Sequence, residues 1–532
     1  MSILLAETAT FVAPTIDWLP LVPIIVVFGG AVIGVLIEAF ASPSVRRPIN
    51  MVWSLFVLGA AFVLTTGQWY VAKVEVLDVG EYVSDTLTVA IQMMVTLLAF
   101  LSVLVMSDRS MVRDGAFAAQ PSDRPGSGEE SLSLAKGYQR SEIYPLVLFS
   151  VAGMMLFPAS DSLLTMFVAL EVMSLPLYIL VATARRRRHL SQEAAIKYFI
   201  LGSFSSAFFL MGAALLYGYA GVLLTQQTGQ ASLRLRDIAL VIPLANNMDW
   251  ILLLAVFMVL VGLLFKVAVF PFHEWTPDVY TGAPTPITGF MAAGVKVAGF
   301  GALLRVYTML VAPLQWDFRL IIAVLAALTI VFGTVGSLVQ KNVKRLLAYS
   351  SVAHAGFILI GVVALSAYTY NSVAFYLLSY GLATVGAFAV IGQVRKTSPD
   401  GAIEGEADNL KQWAGLGKRS PWLAVAMLIY LLSFAGIPLT SGFVAKFVVF
   451  VAGIQGGLGW LVGIALAASV ATAAVYFGIV QTMFFREPAP DVAVVQSEGP
   501  ASVVIFFTAA ATVLLGVFPG PVLDFFSSIS VF

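Results

Sequence analysis

The feature that most constrains this chain is the recurrence of long apolar runs such as WILLLAVFMVLVGLLF, Trp250 to Phe265. A helix needs about 20 mostly apolar residues to cross the hydrocarbon of a bilayer. At that scale segments recur near 18–40, 50–70, 84–106, 143–160, 162–183, 193–218, 251–270, 286–310, 319–339, 346–366, 371–394, 421–455, 459–484 and 501–518. The expectation is an all-α polytopic membrane protein with about fourteen transmembrane helices. Composition agrees: 60% of residues are hydrophobic and 11% charged, against roughly 45–50% and 25% in a soluble domain. Two segments should be discontinuous. Residues 421–455 are too long for one straight helix and contain AGIPLTSG, and the run through Lys266 is followed five residues later by Pro271.

Lysine and arginine in short loops set orientation. Loops after odd-numbered segments hold Arg46 and Arg47; Arg109, Arg113, Arg124, Lys136 and Arg140; Arg185 to Arg188; Lys341, Lys344 and Arg345; Arg395, Lys396, Lys411, Lys418 and Arg419; and Arg486. Loops after even-numbered segments offer little beyond Lys73, Arg234, Arg236 and Arg319. Both termini are therefore expected on the non-cytoplasmic side of the membrane. The first residues lack the basic start and compact apolar core of a cleavable signal peptide, so they are expected to be retained. Residues 113–140, polar and rich in Gly, Ser and Pro, read as a mobile cytoplasmic loop, dispensable unless its mixed charges dock it on a partner.

A net charge of +0 argues against a nucleic-acid partner. The chain has no cysteine and only His189, His273 and His354, which removes iron–sulfur and thioether haem ligation and disfavours a histidine metal site. No metal and no cofactor are expected in this chain.

The pattern places five ionisable side chains within segments: Glu171 in FVALEVMSLPLY, Lys197 in EAAIKYFILG, Lys266, Lys296 in MAAGVKVAGFG and Lys446 in SGFVAKFVVF. A charge at the centre of an isolated membrane helix costs about 2.5–3.5 kcal/mol on insertion scales, so each marks a functional position by default. Lys197, about one turn from its cytoplasmic end, reads equally as a snorkelling topology signal. Glu171 and Lys296 lie about 15 Å into their segments, although a purely structural Glu–Lys pair is the plainer alternative. Arg305, near the outer end of its segment, reads as an interfacial anchor. Burial disfavours the charged form of lysine and glutamate alike, and a nearby opposite charge restores it. Moving a counter-charge can therefore load or unload such a group, which arginine could not match.

Breaks at Pro271 and Pro438 leave backbone groups unpaired, and irregular backbone is tolerated in a membrane only where protein or water covers it. Lys266 and Lys446 each lie within about 12 Å of a break along a helix axis. Two broken helices in corresponding halves point to an ion path through inverted repeats, here two five-helix units at 143–310 and 319–484. These follow an N-terminal part at 1–142 that includes the 113–140 loop, and precede a C-terminal helix within 485–532. His354 in SSVAHAGF is a candidate relay residue. His273 in PFHEWTPDVYTGAPTP is a second candidate, although Glu274 and Asp278 suggest an end-of-helix cap.

The wording of LEVMSLPLYIL, KYFILGSFSSAF, FKVAVFPFHEWTPDVYTGAPTP, VKVAGF, VKRLLAYSSVAHAGF and GIPLTSGFVAKF resembles the antiporter-like membrane subunits shared by respiratory complex I and the multi-subunit sodium/proton antiporters. The resemblance covers about 143–484. It implies fourteen spans, two inverted repeats, and proton transfer through Glu171, Lys266, Lys296 and Lys446. It further implies a non-redox subunit of an NADH–quinone oxidoreductase, coupled to NADH oxidation and quinone reduction on neighbouring subunits, with adjacent antiporter-like and small membrane subunits and the bilayer as partners. A lysine in the broken twelfth segment and only fourteen residues after the last segment single out one branch of that family. A subunit of a cation/proton antiporter is the alternative, and a passive scaffold leaves the lysines unexplained.

Overall fold

The computed structural model of the protein describes residues 17–71, 75–76, 81–108, 115–118, 123–124, 126–136, 140–228, 231–244, 250–400, 403–495, 497 and 499–531. The signal-peptide reading of residues 1–16 and the loop charges Lys73, Arg109 and Arg113 lie outside the described residues.

The helices are α1 (Val22–Phe40), α2 (Pro43–Val71), α3 (Thr86–Ser107), α4 (Gly128–Ala135), α5 (Ile143–Leu156), α6 (Leu163–Val181), α7 (Arg188–Thr228), α8 (Leu235–Val241), α9 (Trp250–Val267), α10 (Trp275–Gly282) and α11 (Thr285–Phe290). They continue as α12 (Lys296–Val306), α13 (Gln315–Leu338), α14 (Val343–Ala364), α15 (Thr369–Ile391), α16 (Leu416–Arg419), α17 (Pro421–Ala435), α18 (Ser441–Gln455), α19 (Gly459–Phe485), α20 (Pro500–Val517) and α21 (Gly520–Ser527). Among the described residues eleven helical stretches are long and apolar enough to cross a membrane, and α5, α17 and α18 are shorter apolar helices. The stretch Thr285–Leu338 covers both segments expected at 286–310 and 319–339. It is interrupted by π-helical turns at Met291–Val295 and Tyr307–Val311 and by a 3-10 turn at Ala312–Leu314, where Pro313 supplies no N–H to the ladder.

Burial sorts the helices into centre and rim. α14 and α15 are buried over 94% of their apolar windows, against about a third for α2, α19 and α20. The centre is closed by glycine: a Cβ at Gly333 of α13 would collide with the backbone of Tyr349 and Ala353 in α14. Small strands lie outside the bundle. β1 (Glu75–Val76) pairs antiparallel with β2 (Val83–Ser84), and β3 (Val394–Thr397) lies between β4 (Ile403–Glu406) and β5 (Val492–Val494).

Part of the polar insertion is ordered where composition suggested a mobile loop. α4 falls within it; Glu130 is buried and ion-paired to Arg185 at 2.7 Å, and Ser133 donates to Asp123 at 2.8 Å. Ala118 N–H donates to Thr183 O and Arg185 N–H to Ala116 O. The run Arg185 to Arg188 is the reason: several adjacent guanidinium groups at a helix entrance need acceptors, and the insertion supplies some of them.

Candidate functional site

α9 ends because Ala268 adopts φ +63° and Pro271 has no N–H to continue the ladder. The freed groups are covered by protein. Phe270 N–H donates to Thr329 Oγ1 at 3.0 Å, and Trp275 Nε1 donates to Phe265 O at 3.0 Å. Lys266, 1% exposed, stands one residue before the end of α9 and donates to Ser174 Oγ at 2.7 Å. The rings of Phe265, Tyr178 and Tyr198 surround its Nζ at 5.7–5.8 Å. Glu171 lies one turn before Ser174 on α6. Its Oε1 is buried with no hydrogen-bond partner among the described residues.

The second interruption is built differently. α17 stops at Gly436, φ +81°, whose N–H closes onto Leu432 O and Ser433 O at 3.0 Å. A Cβ at Gly436 would stand 2.8 Å from Lys446 Cδ, so only glycine combines that backbone with that neighbour. Lys446, on α18, reaches back across the gap and donates to Ala435 O at 2.9 Å and to Ser469 Oγ at 2.8 Å. A carbonyl released by the break is satisfied by the lysine that follows it.

Lys296 begins α12, directly after the π-turn Met291–Val295, a distortion that often marks function. It is 2% exposed and donates to Ser351 O of α14, with the ring of Tyr380 5.4 Å from Nζ. His354, one turn after Ser351, bonds through Nδ1 to Tyr376 OH at 2.8 Å. Its ring lies 4.9 Å from that of Tyr380 and 5.9 Å from that of Phe357, and Phe357 lies 4.9 Å from Lys446 Nζ. Lys296, His354 and Lys446 are thus brought into one buried row. All three lysines donate to hydroxyl or carbonyl oxygens, not to a carboxylate. Each can give up a proton without breaking an ion pair.

The remaining expected positions fall elsewhere. Lys197 bridges Glu193 at 2.5 Å and Asp278 at 2.7 Å with its side chain 42% exposed, outside the buried row. His273 lies buried in the first break, with its ring 5.6 Å from that of Phe270. The expected cap does not form: Glu274 makes no side-chain capping bond to α10, and Asp278 binds Lys197 and Arg345.

Arg305 is not an interfacial anchor. It is 1% exposed and ion-paired to Asp85 at 2.8 Å, with further bonds to Thr88 Oγ1 and Pro158 O. Asp85 is 220 residues distant in sequence, which hid the pair from a local reading. Lys344, counted among loop charges, is 1% exposed. It donates to Ala283 O at 2.8 Å and Thr285 Oγ1 at 3.1 Å and pairs with Glu406 at 3.3 Å. Burial raises the Glu406 carboxyl, but Lys344, Arg395 and Arg187 outweigh it and hold the group at about 2. Among the described residues no cluster of three or more His, Asp or Glu could hold a metal ion.

Two interrupted helices, buried lysines beside them and a core of α14 and α15 define a polytopic helical membrane protein. Residues 160–472 match the family model described as NADH:quinone oxidoreductase/Mrp antiporter, TM. NADH-quinone oxidoreductase subunit N of Beutenbergia cavernae is 50% identical over 531 residues, covering 97% of this chain and 98% of the relative. Subunit N of Acidothermus cellulolyticus is 46% identical, with 96% of each chain covered. The chain belongs to the NADH-quinone oxidoreductase subunit N family. A chain of respiratory complex I from Thermus thermophilus superposes with a TM-score of 0.75 at 32% identity, covering 96% of this chain and all of the other. A chain of the Mrp complex from a Dietzia species shares the fold, with a TM-score of 0.76 at 22% identity and coverage of 95% and 96%.

Proposed function

We propose that this chain is a proton-translocating membrane subunit of an NADH-quinone oxidoreductase, moving protons through Glu171, Lys266, Lys296 and Lys446, with His354 between the last two. The observation that carries the reading is that three buried lysines each stand at a helix irregularity or reach into one, and donate to neutral oxygens. Insertion of a charge into the membrane interior is costly, and a lysine with neutral partners is poised to change protonation when a counter-charge such as Glu171 approaches or withdraws. Lys197 and His273 are outlying candidates, one on the surface and one in the first break.

Fourteen crossings follow if Thr285–Leu338 crosses twice and α17 and α18 share one crossing. The two inverted repeats at 143–310 and 319–484 gain support from packing. Gly153 of α5 abuts Ala169 O and Met173 N of α6, and Gly333 of α13 abuts Tyr349 O and Ala353 N of α14; each member of the second set lies 180 residues after its counterpart. The same offset sets Ser351 opposite Glu171 and His354 opposite Ser174. Positive charge in the loops supports termini on the outer side of a bacterial inner membrane.

NADH oxidation and quinone reduction belong, in this reading, to cofactors on partner subunits, and this chain contributes the membrane passage. Purification through a tag on this chain tests it. Flavin- and iron–sulfur-bearing subunits with NADH-driven quinone reduction are expected; recovery with cation/proton antiporter subunits alone would contradict it.

A further inference from the structure

The hydrogen bond of Lys266 goes to a hydroxyl, and the rest of its surroundings are aromatic. Tyr178 of α6, Tyr198 of α7 and Phe265 of α9 present their rings to Nζ at 5.7–5.8 Å. Trp275, the first residue of α10, joins the set. Tyr198 lies flat on Trp275, with centroids 4.8 Å and planes 19° apart, and Trp275 tilts against Phe265 at 5.6 Å. Tyr178 stands edge-on to Tyr198, at 4.7 Å and 81°.

Four helices converge on this one side chain. The interruption after Val267 returns Trp275 to Phe265, where its Nε1 donates to Phe265 O at 3.0 Å. Glycine makes room for Tyr178: a Cβ at Gly202, four residues after Tyr198 on α7, would stand 2.9 Å from Tyr178 Cζ. The hydroxyls of Tyr178 and Tyr198 are buried and make no hydrogen bond among the described residues. What these two residues bring to Lys266 is therefore the ring.

An aromatic face carries partial negative charge. It attracts a cation within about 6 Å of its centroid, most strongly where water is kept away. Tyr178, Tyr198, Phe265 and Trp275 are each at most 6% exposed. A ring differs from a carboxylate in that it cannot take up the proton it helps to hold, and its attraction is lost once the ammonium becomes an amine. Glu171, Ser174 and Tyr178 are spaced by three and four residues, on one face of α6, so hydroxyl, ring and carboxylate belong to the same side of that helix. Tyr380, 5.4 Å from Lys296 Nζ, and Phe357, 4.9 Å from Lys446 Nζ, repeat the arrangement with a ring each.

We infer that Tyr178, Tyr198 and Phe265 are positioning residues that cage the Lys266 ammonium, a fixed attraction to which the Glu171 carboxylate adds when it approaches. The inference rests on the proton-transfer reading of Lys266. The cage is the constant part of the environment and Glu171 the variable part. The site then loads a proton with less help from a carboxylate than burial alone would demand, and no resident group competes for that proton when it leaves.

The test separates the charge of the ring face from its shape. Tyr198→Phe keeps the face and should retain the rate of proton translocation in the assembled complex; loss would make the hydroxyl the working group and overturn the cage. Mono-, di- and trifluorophenylalanine placed at Tyr198 keep the shape and draw charge from the face. Translocation should fall with each fluorine, to about a tenth with three. Unchanged translocation across the series, in complexes that assemble normally on a native gel, would overturn the cage and leave the lysine pathway standing. Fluorination also alters the stack on Trp275, so the thermal midpoint of the complex is compared with Lys266 present and in Lys266→Met. A larger fall with Lys266 present is expected; equal falls would assign the effect to ring–ring packing and overturn the cage. Normal translocation in Lys266→Met would overturn the pathway itself.

Discussion

Replacing Glu406 by Gln should release the β3–β4 hairpin from the bundle without touching a buried lysine of the pathway. The carboxyl sits at about 2, against 4.5 for the isolated group. At about 1.4 kcal/mol per tenfold, the interactions holding it there contribute at most about 3 kcal/mol to the docked hairpin, because Arg395, its cross-strand partner on β3, stays with it on release. Lys344, left 1% exposed with only Ala283 O and Thr285 Oγ1 as partners, adds the cost of an uncompensated buried charge. The sign follows from a value depressed in the docked state. The contribution is complete above the undocked value and lost as pH falls through about 2, so at neutral pH it is fully present. Hydrogen exchange of the amides in Val394–Thr397 and Ile403–Glu406, read by mass spectrometry on the purified complex, should accelerate in Glu406→Gln, by up to about a hundredfold. The acceleration should be the same at pH 6 and pH 8, once intrinsic exchange rates are divided out. Unchanged exchange, or an effect that appears only below pH 6, would refute the reasoning.

Arg305→Met strands Asp85 in a buried site and should cost about 3–5 kcal/mol, seen as lower thermal stability of the complex, whereas Arg305→Met combined with Asp85→Leu should recover much of the loss. Gly436→Ala should cost about 1–2 kcal/mol for a left-handed non-glycine residue and displace Lys446; translocation should fall while assembly, followed by native gel, persists. Glu130 is buried, which alone would raise its carboxyl, but Arg185 holds it below the usual carboxylate range; Glu130→Gln should loosen the insertion and speed tryptic cleavage at Arg124 and Lys136.

Apolar run length made the bundle legible in the sequence, because the bilayer imposes a length scale that few other constraints mask. Both interruptions were legible too, since Pro271 and Pro438 remove backbone donors whatever the surroundings. Lys266, Lys296 and Lys446 stood out against apolar neighbours. Lys344 did not: it follows Lys341 and precedes Arg345, and its partners Ala283 and Glu406 are 61 and 62 residues away. Arg305 was misplaced for the same reason, its counter-ion lying on another helix. The ordering of α4 depended on Arg185, outside the insertion altogether. Local pattern identifies which groups are costly to bury; it does not identify the distant group that compensates them.

Whether Lys266 is tolerated in the membrane because it is a proton site biased by Glu171, as proposed, can be tested directly. The direct measurement replaces Lys266 by Met and Glu171 by Gln separately in the assembled complex. Proton translocation in vesicles is then followed alongside NADH-driven quinone reduction. Loss of a proton-transfer group costs roughly 10²–10⁴ when that step limits turnover, so translocation and electron transfer should fall together in both variants. Unchanged translocation in Lys266→Met, in a complex that assembles normally, would contradict the account and make the lysine a structural partner of Ser174.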